Sequence, residues 1–143
     1  MRIVIGSDHR GYLMKRKLLA FAQQHYVGIE IFDAGCAEKE IVDYPLIAKK
    51  VTFQISDADK VMGILICGSG IGMSIAANRY KNIRAALCSS KEYARTSRMH
   101  NNANVLVLGA DFLTFDEAKS ILNMFMETDF SDESRHSNRI TML

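Results

Sequence analysis

Short apolar runs alternate along this chain with longer segments in which apolar residues recur every three or four positions. The runs are Arg2 to Gly6, Gly28 to Phe32, Val61 to Cys67, Arg84 to Cys88 and Asn104 to Leu108. Each is too short for a helix of ordinary length and suits a strand. Between them, Gly11 to Gln24 places Met14, Leu18 and Phe21 at helical spacing, and Pro45 to Ser56 does the same with Ile47, Val51 and Ile55. Gly72 to Tyr80 follows a glycine-rich turn, and Phe115 to Met126 carries Ala118, Ile121, Leu122 and Phe125. Alternation of this kind predicts an α/β fold, a Rossmann-like three-layer sandwich in which crossover helices cover both faces of a five-stranded parallel sheet. Strands buried on both faces read as nearly continuous aliphatic residues, as Val105-Leu106-Val107-Leu108 does.

Ligands of such sheets sit beyond the carboxyl ends of the strands. The first strand ends in Ser7-Asp8-His9 and the third in Cys67-Gly68-Ser69-Gly70-Ile71-Gly72, while His100-Asn101-Asn102 precedes the fifth. That collection of polar and reactive groups exceeds what packing requires, and the expectation is that they gather near one rim.

Composition narrows the possibilities further. At 143 residues the chain fits one domain, since a domain takes roughly 150. A single proline, Pro45, and the lack of any Gly/Ser-rich linker or repeat predict one continuous unit over 1–143 with a polar tail from about 131. Hydrophobic residues at 48% and charged residues at 24% are ordinary for a globular chain, which argues against disorder. Eighteen Lys and Arg against 16 Asp and Glu leave a formal charge of +2, too little to favour a nucleic-acid partner. The first residues reach Asp8-His9 before any apolar stretch of signal length, and no run approaches a membrane span, so a cytoplasmic location without a membrane partner is expected. Cys36, Cys67 and Cys88 are odd in number and match no metal spacing, so free thiols are expected.

Several motifs carry two readings each. The segment Gly68 to Gly72 follows a strand and opens a helix, so it is either a tight structural turn or a cradle whose amides face an anion. It is neither a dinucleotide fingerprint, since Met73 stands where a glycine is needed, nor a Walker loop, since no Gly-Lys-Ser/Thr follows. Cys67 directly before it is either a buried strand end or a thiol that a helix N-terminus makes a usable base near neutrality. Cys36 and Cys88 read as buried packing residues. His9 and His100 suit general acids or surface positions, and Asp8 suits a hydroxyl-binding group or a helix cap. Arg135 and Arg139 lie four apart, so a helical tail would present two guanidinium forks on one face, suited to a phosphate or to solvent.

As an ordered set, Ser7-Asp8-His9, Asp43-Tyr44-Pro45, Cys67-Gly68-Ser69-Gly70-Ile71-Gly72, Arg84, His100-Asn101 and Arg135 with Arg139 resemble ribose-5-phosphate isomerase type B and its sugar-phosphate isomerase relatives, over essentially the whole chain. The resemblance implies reversible conversion of D-ribose 5-phosphate to D-ribulose 5-phosphate in the pentose phosphate pathway, with no metal or organic cofactor. It implies that Cys67 moves the proton between C2 and C1 and that His100 opens the furanose ring with help from Asp8. It further implies that Ser69 shuttles protons among the oxygens and that the amides of Gly68, Gly70, Ile71 and Gly72 hold the enediolate. His9, Arg135 and Arg139 would hold the phosphate, and Tyr44 and Asn101 would line the site. One departure stands out: where many relatives carry a third phosphate-binding arginine, this chain reads Gly109-Ala110-Asp111, which implies fewer cations on the phosphate.

Two alternatives compete with that reading. One is a hexose-phosphate isomerase of the same family, acting on galactose 6-phosphate or allose 6-phosphate. In the galactose relatives the cysteine half and the histidine–arginine half are divided between two kinds of chain, whereas both stand in this one. The other is a non-catalytic anion-binding module, which would not need Cys67, His100 and two tail arginines together. The resemblance also implies a homodimer or dimer of dimers whose sites are completed by the partner's His100 and Asn101.

Overall fold

The computed structural model describes residues 1–38, 40–55 and 61–143. Its strands are β1 (Arg2–Ser7), β2 (Glu30–Asp33), β3 (Val61–Cys67), β4 (Ala85–Leu87) and β5 (Val105–Gly109). Its helices are α1 (Tyr12–His25), α2 (Tyr44–Thr52), α3 (Ile71–Ala77), α4 (Lys91–Asn101), α5 (Phe115–Glu127) and α6 (Ser134–Ile140). The strands form one parallel sheet in the order β2-β1-β3-β5-β4.

Because successive side chains of a strand point to opposite faces, the aliphatic runs of the three central strands divide into two cores. Ile3, Ile5, Ile64, Ile66, Leu106 and Leu108 meet Leu18 of α1, Ala94 of α4 and Ala118, Ile121, Leu122 and Phe125 of α5. Val4, Leu65, Cys67, Val105 and Val107 meet Ile47, Ala48 and Val51 of α2 and Met73 and Ala77 of α3. The three-layer expectation is therefore met, with helices on both faces. The five strands lie within two residues of their expected positions. Burial on both faces holds for β1, β3 and β5 only: β2 and β4 are the sheet edges and stay partly exposed.

Helix α2 ends at Thr52, earlier than expected, where the N–H groups of Gln54 and Ile55 tighten into three-residue turns. The expected end at Ser56 lies outside the described residues. Helix α3 stops at Ala77 because the Asn78 side chain turns outward to bond the edge strand, accepting from the Ala85 N–H (2.8 Å) and donating to its carbonyl (2.9 Å). Helix α4 has no counterpart in the apolar pattern. Its buried stripe is Ala94, Ser97 and Arg98, and Arg98 Nη1 donates to the Ala103 carbonyl (2.6 Å) and Asn102 Oδ1 (3.0 Å) while its guanidinium lies over the Phe125 ring. Among the described residues no helix is long and apolar enough to cross a membrane.

One buried charge ties α1 to the sheet edge. Lys15 is 1% exposed, and its Nζ donates to both carboxylate oxygens of Asp33 (2.6 and 2.8 Å) and to the Cys36 carbonyl (2.8 Å). Asp33 is 35% exposed, so its carboxylate can turn to water while the ammonium cannot. Asp33→Ala, which strands the ammonium, is expected to lower unfolding free energy by about 3 kcal/mol, and Lys15→Met by less than half of that. Urea denaturation of the two variants checks the order.

Candidate functional site

The carboxyl ends of β1, β3 and β5 converge on the segment that joins β3 to α3. Gly70 takes a left-handed conformation (φ 78°), which turns the chain from strand into helix and lets its N–H donate to Cys67 Sγ at 3.1 Å. The Ile71 N–H donates to Ser69 Oγ (3.2 Å). Cys67 itself is 4% exposed. Backbone approaches hold the loop in place: the Ala110 N–H donates to the Cys67 carbonyl (2.9 Å) and the Asp111 N–H to the Gly68 carbonyl (3.0 Å). A Cβ on Gly109 would stand 2.6 Å from the Ser69 carbonyl oxygen, so glycine at 109 is what lets β5 end so close to the loop.

Asp8 follows β1 directly beside this loop, its N–H donating to the Ile66 carbonyl (3.1 Å). Its Oδ1 accepts from the N–H groups of Arg10 (3.0 Å) and Gly11 (2.9 Å), which closes a turn ahead of α1 rather than capping it, since the helix begins from Gly11 without a side-chain cap, and the carboxylate is fixed in a buried position beside the end of β3. His9 is exposed, with Nδ1 3.3 Å from the Val42 carbonyl. Tyr44 opens α2 and lays its ring on Gly72, where a Cβ would lie 2.7 Å from the ring. Asp8, His9, Tyr44, Cys67, Ser69 and the glycines from Gly68 to Gly72 thus share one rim.

His100, Asn101, Arg135 and Arg139 do not join them. Helix α4 runs back against the strand direction and ends at Asn101, and the Asn104 carbonyl beyond it accepts from the Gly63 N–H near the start of β3 (2.9 Å). The tail is helical, as the arginine spacing required, and α6 packs on α4 at the same end. The His100 and His136 rings stack at 4.3 Å with 8° between planes, and Arg84 Nε donates to the carbonyls of Asn101 (3.0 Å) and Asn102 (2.9 Å). A cavity of about 780 Å³ opens there, lined in part by Tyr80, Arg84, Asn101, Ile140 and Leu143. The expectation of a single rim is corrected: the two groups lie at opposite ends of the sheet, separated by the five residues of β5, about 15 Å at the usual rise. A helix returning between parallel strands necessarily carries its last residues back to the amino end.

Arg135 and Arg139 are exposed while His136 between them is buried. Arg135 Nε donates to Glu133 (2.8 Å). Neither His136 nor Arg10 is among the site residues that the motifs predict. His136 was legible as the inward position of a helix whose arginines face out. Arg10 was not, because its partner Asp111 is far away in sequence. Cys36 and Cys88 are buried packing residues as expected, and burial raises both thiols, Cys88 to about 11, against the opposing effect of the hydrogen-bond contacts Cys36 shares with Ser7 and Cys88 makes to Ser97.

The family described as Ribose/Galactose Isomerase matches residues 3–143. Ribose-5-phosphate isomerase B of Escherichia coli is 36% identical over 139 residues, covering 97% of this chain and 91% of that protein. The structure of ribose 5-phosphate isomerase B from Anaplasma phagocytophilum is 48% identical with a TM-score of 0.92, covering 99% of this chain and 94% of the other. The corresponding structure from Thermotoga maritima is 45% identical with a TM-score of 0.93, covering 99% and 95%.

The stacked histidines give α6 a pH dependence. Burial first, then the neighbouring His100 and Arg135, lower the pKa of His136 below its ordinary value of about 6.5. The folded state therefore binds this proton less readily than the unfolded chain does. Its contribution to stability is complete above about pH 6.5 and is lost as pH falls below that through the folded value. The urea midpoint is expected to drop between pH 7.5 and 5.5, and to drop less in His136→Asn.

Proposed function

The chain belongs to the ribose/galactose isomerase family, and from that membership we propose that it is a ribose-5-phosphate isomerase, an aldose–ketose isomerase of the pentose phosphate pathway. The observation that carries the assignment is the Cys67 thiol, set at the end of β3 against the Gly70 amide and beside the buried Asp8 carboxylate. Moving a carbonyl by one carbon requires a base that takes a proton from carbon and donors that stabilise the charge that develops on oxygen. Cys67 takes the proton from C2 of the open-chain aldose and returns it to C1. Ser69, half exposed next to it, relays protons between O1 and O2. The Ile71 N–H, which Ser69 Oγ occupies in the free loop, passes to the enediolate oxygen together with the loop's other amides. A preorganised donor of this kind is worth about 3 kcal/mol of barrier.

Ring opening needs an acid, which we assign to His100, with Asp8 at the ring or hydroxyl groups. His100 ends the returning helix α4 and so lies at the rim opposite to the Cys67 loop of its own chain, with the length of β5, about 15 Å, between the two rims. We therefore assign it, with Asn101, Arg135 and Arg139, to a site completed by a second copy, as a homodimer or dimer of dimers. One copy offers Cys67, Asp8, Ser69, His9, Tyr44 and the glycine loop. The other offers the ring-opening acid and the tail arginines, which hold the phosphate together with His9. Residues 1–143 act as a single isomerase domain whose tail, from about 131, belongs to the partner's site. We place the protein in the cytoplasm, where reducing conditions keep its three thiols free.

The direct test is incubation of the purified chain with ribose 5-phosphate while ketose formation is followed. Cys67→Ala is expected to lower kcat by orders of magnitude with ligand affinity within a few-fold. More than about a tenth of the activity remaining would exclude the thiol as base. The phosphate does not react, so the tail arginines contribute mostly uniform binding. A charge-assisted hydrogen bond of about 1.5–3 kcal/mol predicts a KM about 10- to 150-fold higher for Arg139→Ala, with kcat nearly unchanged. Arg135→Ala should show the smaller effect, because Glu133 already engages its Nε.

A further inference from the structure

One ion pair at the Cys67 rim has no part in the chemistry assigned above. Arg10 Nη2 lies 2.5 Å from Asp111 Oδ2. Arg10 stands just beyond β1 and Asp111 just beyond β5, and β3 lies between those strands, so the pair arches over the end of β3. The arch rests on Gly68: a Cβ there would stand 2.7 Å from Arg10 Nε and 2.8 Å from Asp111 Oδ2. The Asp111 backbone is tied down by its N–H bond to the Gly68 carbonyl (3.0 Å), and the Arg10 N–H is tied to Asp8 Oδ1 (3.0 Å). A guanidinium is thereby fixed one residue from Cys67 and one from His9.

Stability does not account for this arrangement. The two side chains are 62% and 39% exposed, and ion pairs that exposed contribute little to folding. Among the described residues Asp111 is the sole hydrogen-bond partner of the Arg10 guanidinium, and it uses one of five N–H donors. The others can meet a second anion in the planar, forked geometry that suits a phosphate. Asp111 by itself would repel an anionic sugar at the mouth of the loop, and Arg10 cancels that charge where it stands.

We propose that Arg10 is a substrate-binding residue that grips the phosphate of the sugar beside His9, and that Asp111 is the positioning residue that aims its guanidinium. The proposal rests on the isomerase reading for the identity of the ligand, while its chemistry requires only a phosphate.

Two measurements on wild type, Arg10→Ala, Arg10→Lys and the double variant Arg10→Ala/Asp111→Ala test it: steady-state kinetics with ribose 5-phosphate, and calorimetric titration with inorganic phosphate. Arg10→Ala is expected to raise KM about tenfold or more, with kcat within about threefold, and to weaken inorganic phosphate in parallel. Arg10→Lys should fall between the two, because it keeps the charge and loses the fork. The double variant should bind both ligands better than Arg10→Ala, since the repelling carboxylate is gone. Wild-type KM and phosphate affinity in Arg10→Ala would overturn the proposal. A wild-type protein that makes no ketose yet loses phosphate affinity on Arg10→Ala would contradict the isomerase reading and support the role of Arg10.

Discussion

The direction of the strands constrains everything else in this molecule. All five run the same way, so each connecting helix must bring the chain back from the carboxyl rim to the amino rim before the next strand begins. Residues that follow a strand and residues that follow a returning helix therefore face opposite ends of the sheet. Cys67 and Asp8 are of the first kind and His100 and Asn101 of the second. No side-chain rearrangement brings them together, because β5 stands between them as a rigid spacer buried along its whole length. An enzyme that needs both groups must draw them from two chains.

Within the carboxyl rim, close backbone approach stands in for a binding pocket. Gly109 lets β5 end against the Ser69 carbonyl, Gly72 accepts the ring of Tyr44, and Gly68 accepts the Arg10–Asp111 pair. Each glycine is required by a different neighbour, so the loop is held from three sides. Such a loop keeps its donors oriented before the substrate arrives, which is the condition under which amides contribute most to an oxyanion. At the amino rim order comes from side chains instead. His136 is buried beneath α6 and stacks on His100, so the position of the proposed acid depends on the tail being docked.

Much of this was legible in the sequence. The aliphatic runs of β1, β3 and β5 could be read because burial on both faces leaves no polar positions, and the glycine loop because a strand-to-helix turn needs residues free of Cβ. Helix α4 escaped because Ala94 is the one apolar member of its buried stripe, while Ser97 donates to the Ala94 carbonyl and Arg98 to the Ala103 carbonyl, so the stripe does not read as apolar. The single-rim expectation failed for a related reason: without α4, nothing marked His100 as the end of a returning helix. Arg10 went unread because its meaning lies in Asp111, about a hundred positions away, and only the strand order brings the two together.

The central claim is that one functional site takes Cys67 from one copy and His100 from another. It can be tested by mixing two variants, Cys67→Ala and His100→Ala, each nearly inactive alone, under conditions that let subunits exchange. In a twofold assembly half of the randomly formed dimers carry one of each, and one of their two sites then has both native groups. The account predicts that activity returns to about a quarter of the wild-type level. If the mixture stays as inactive as its components after exchange is complete, each chain must build its site alone, and the account is contradicted.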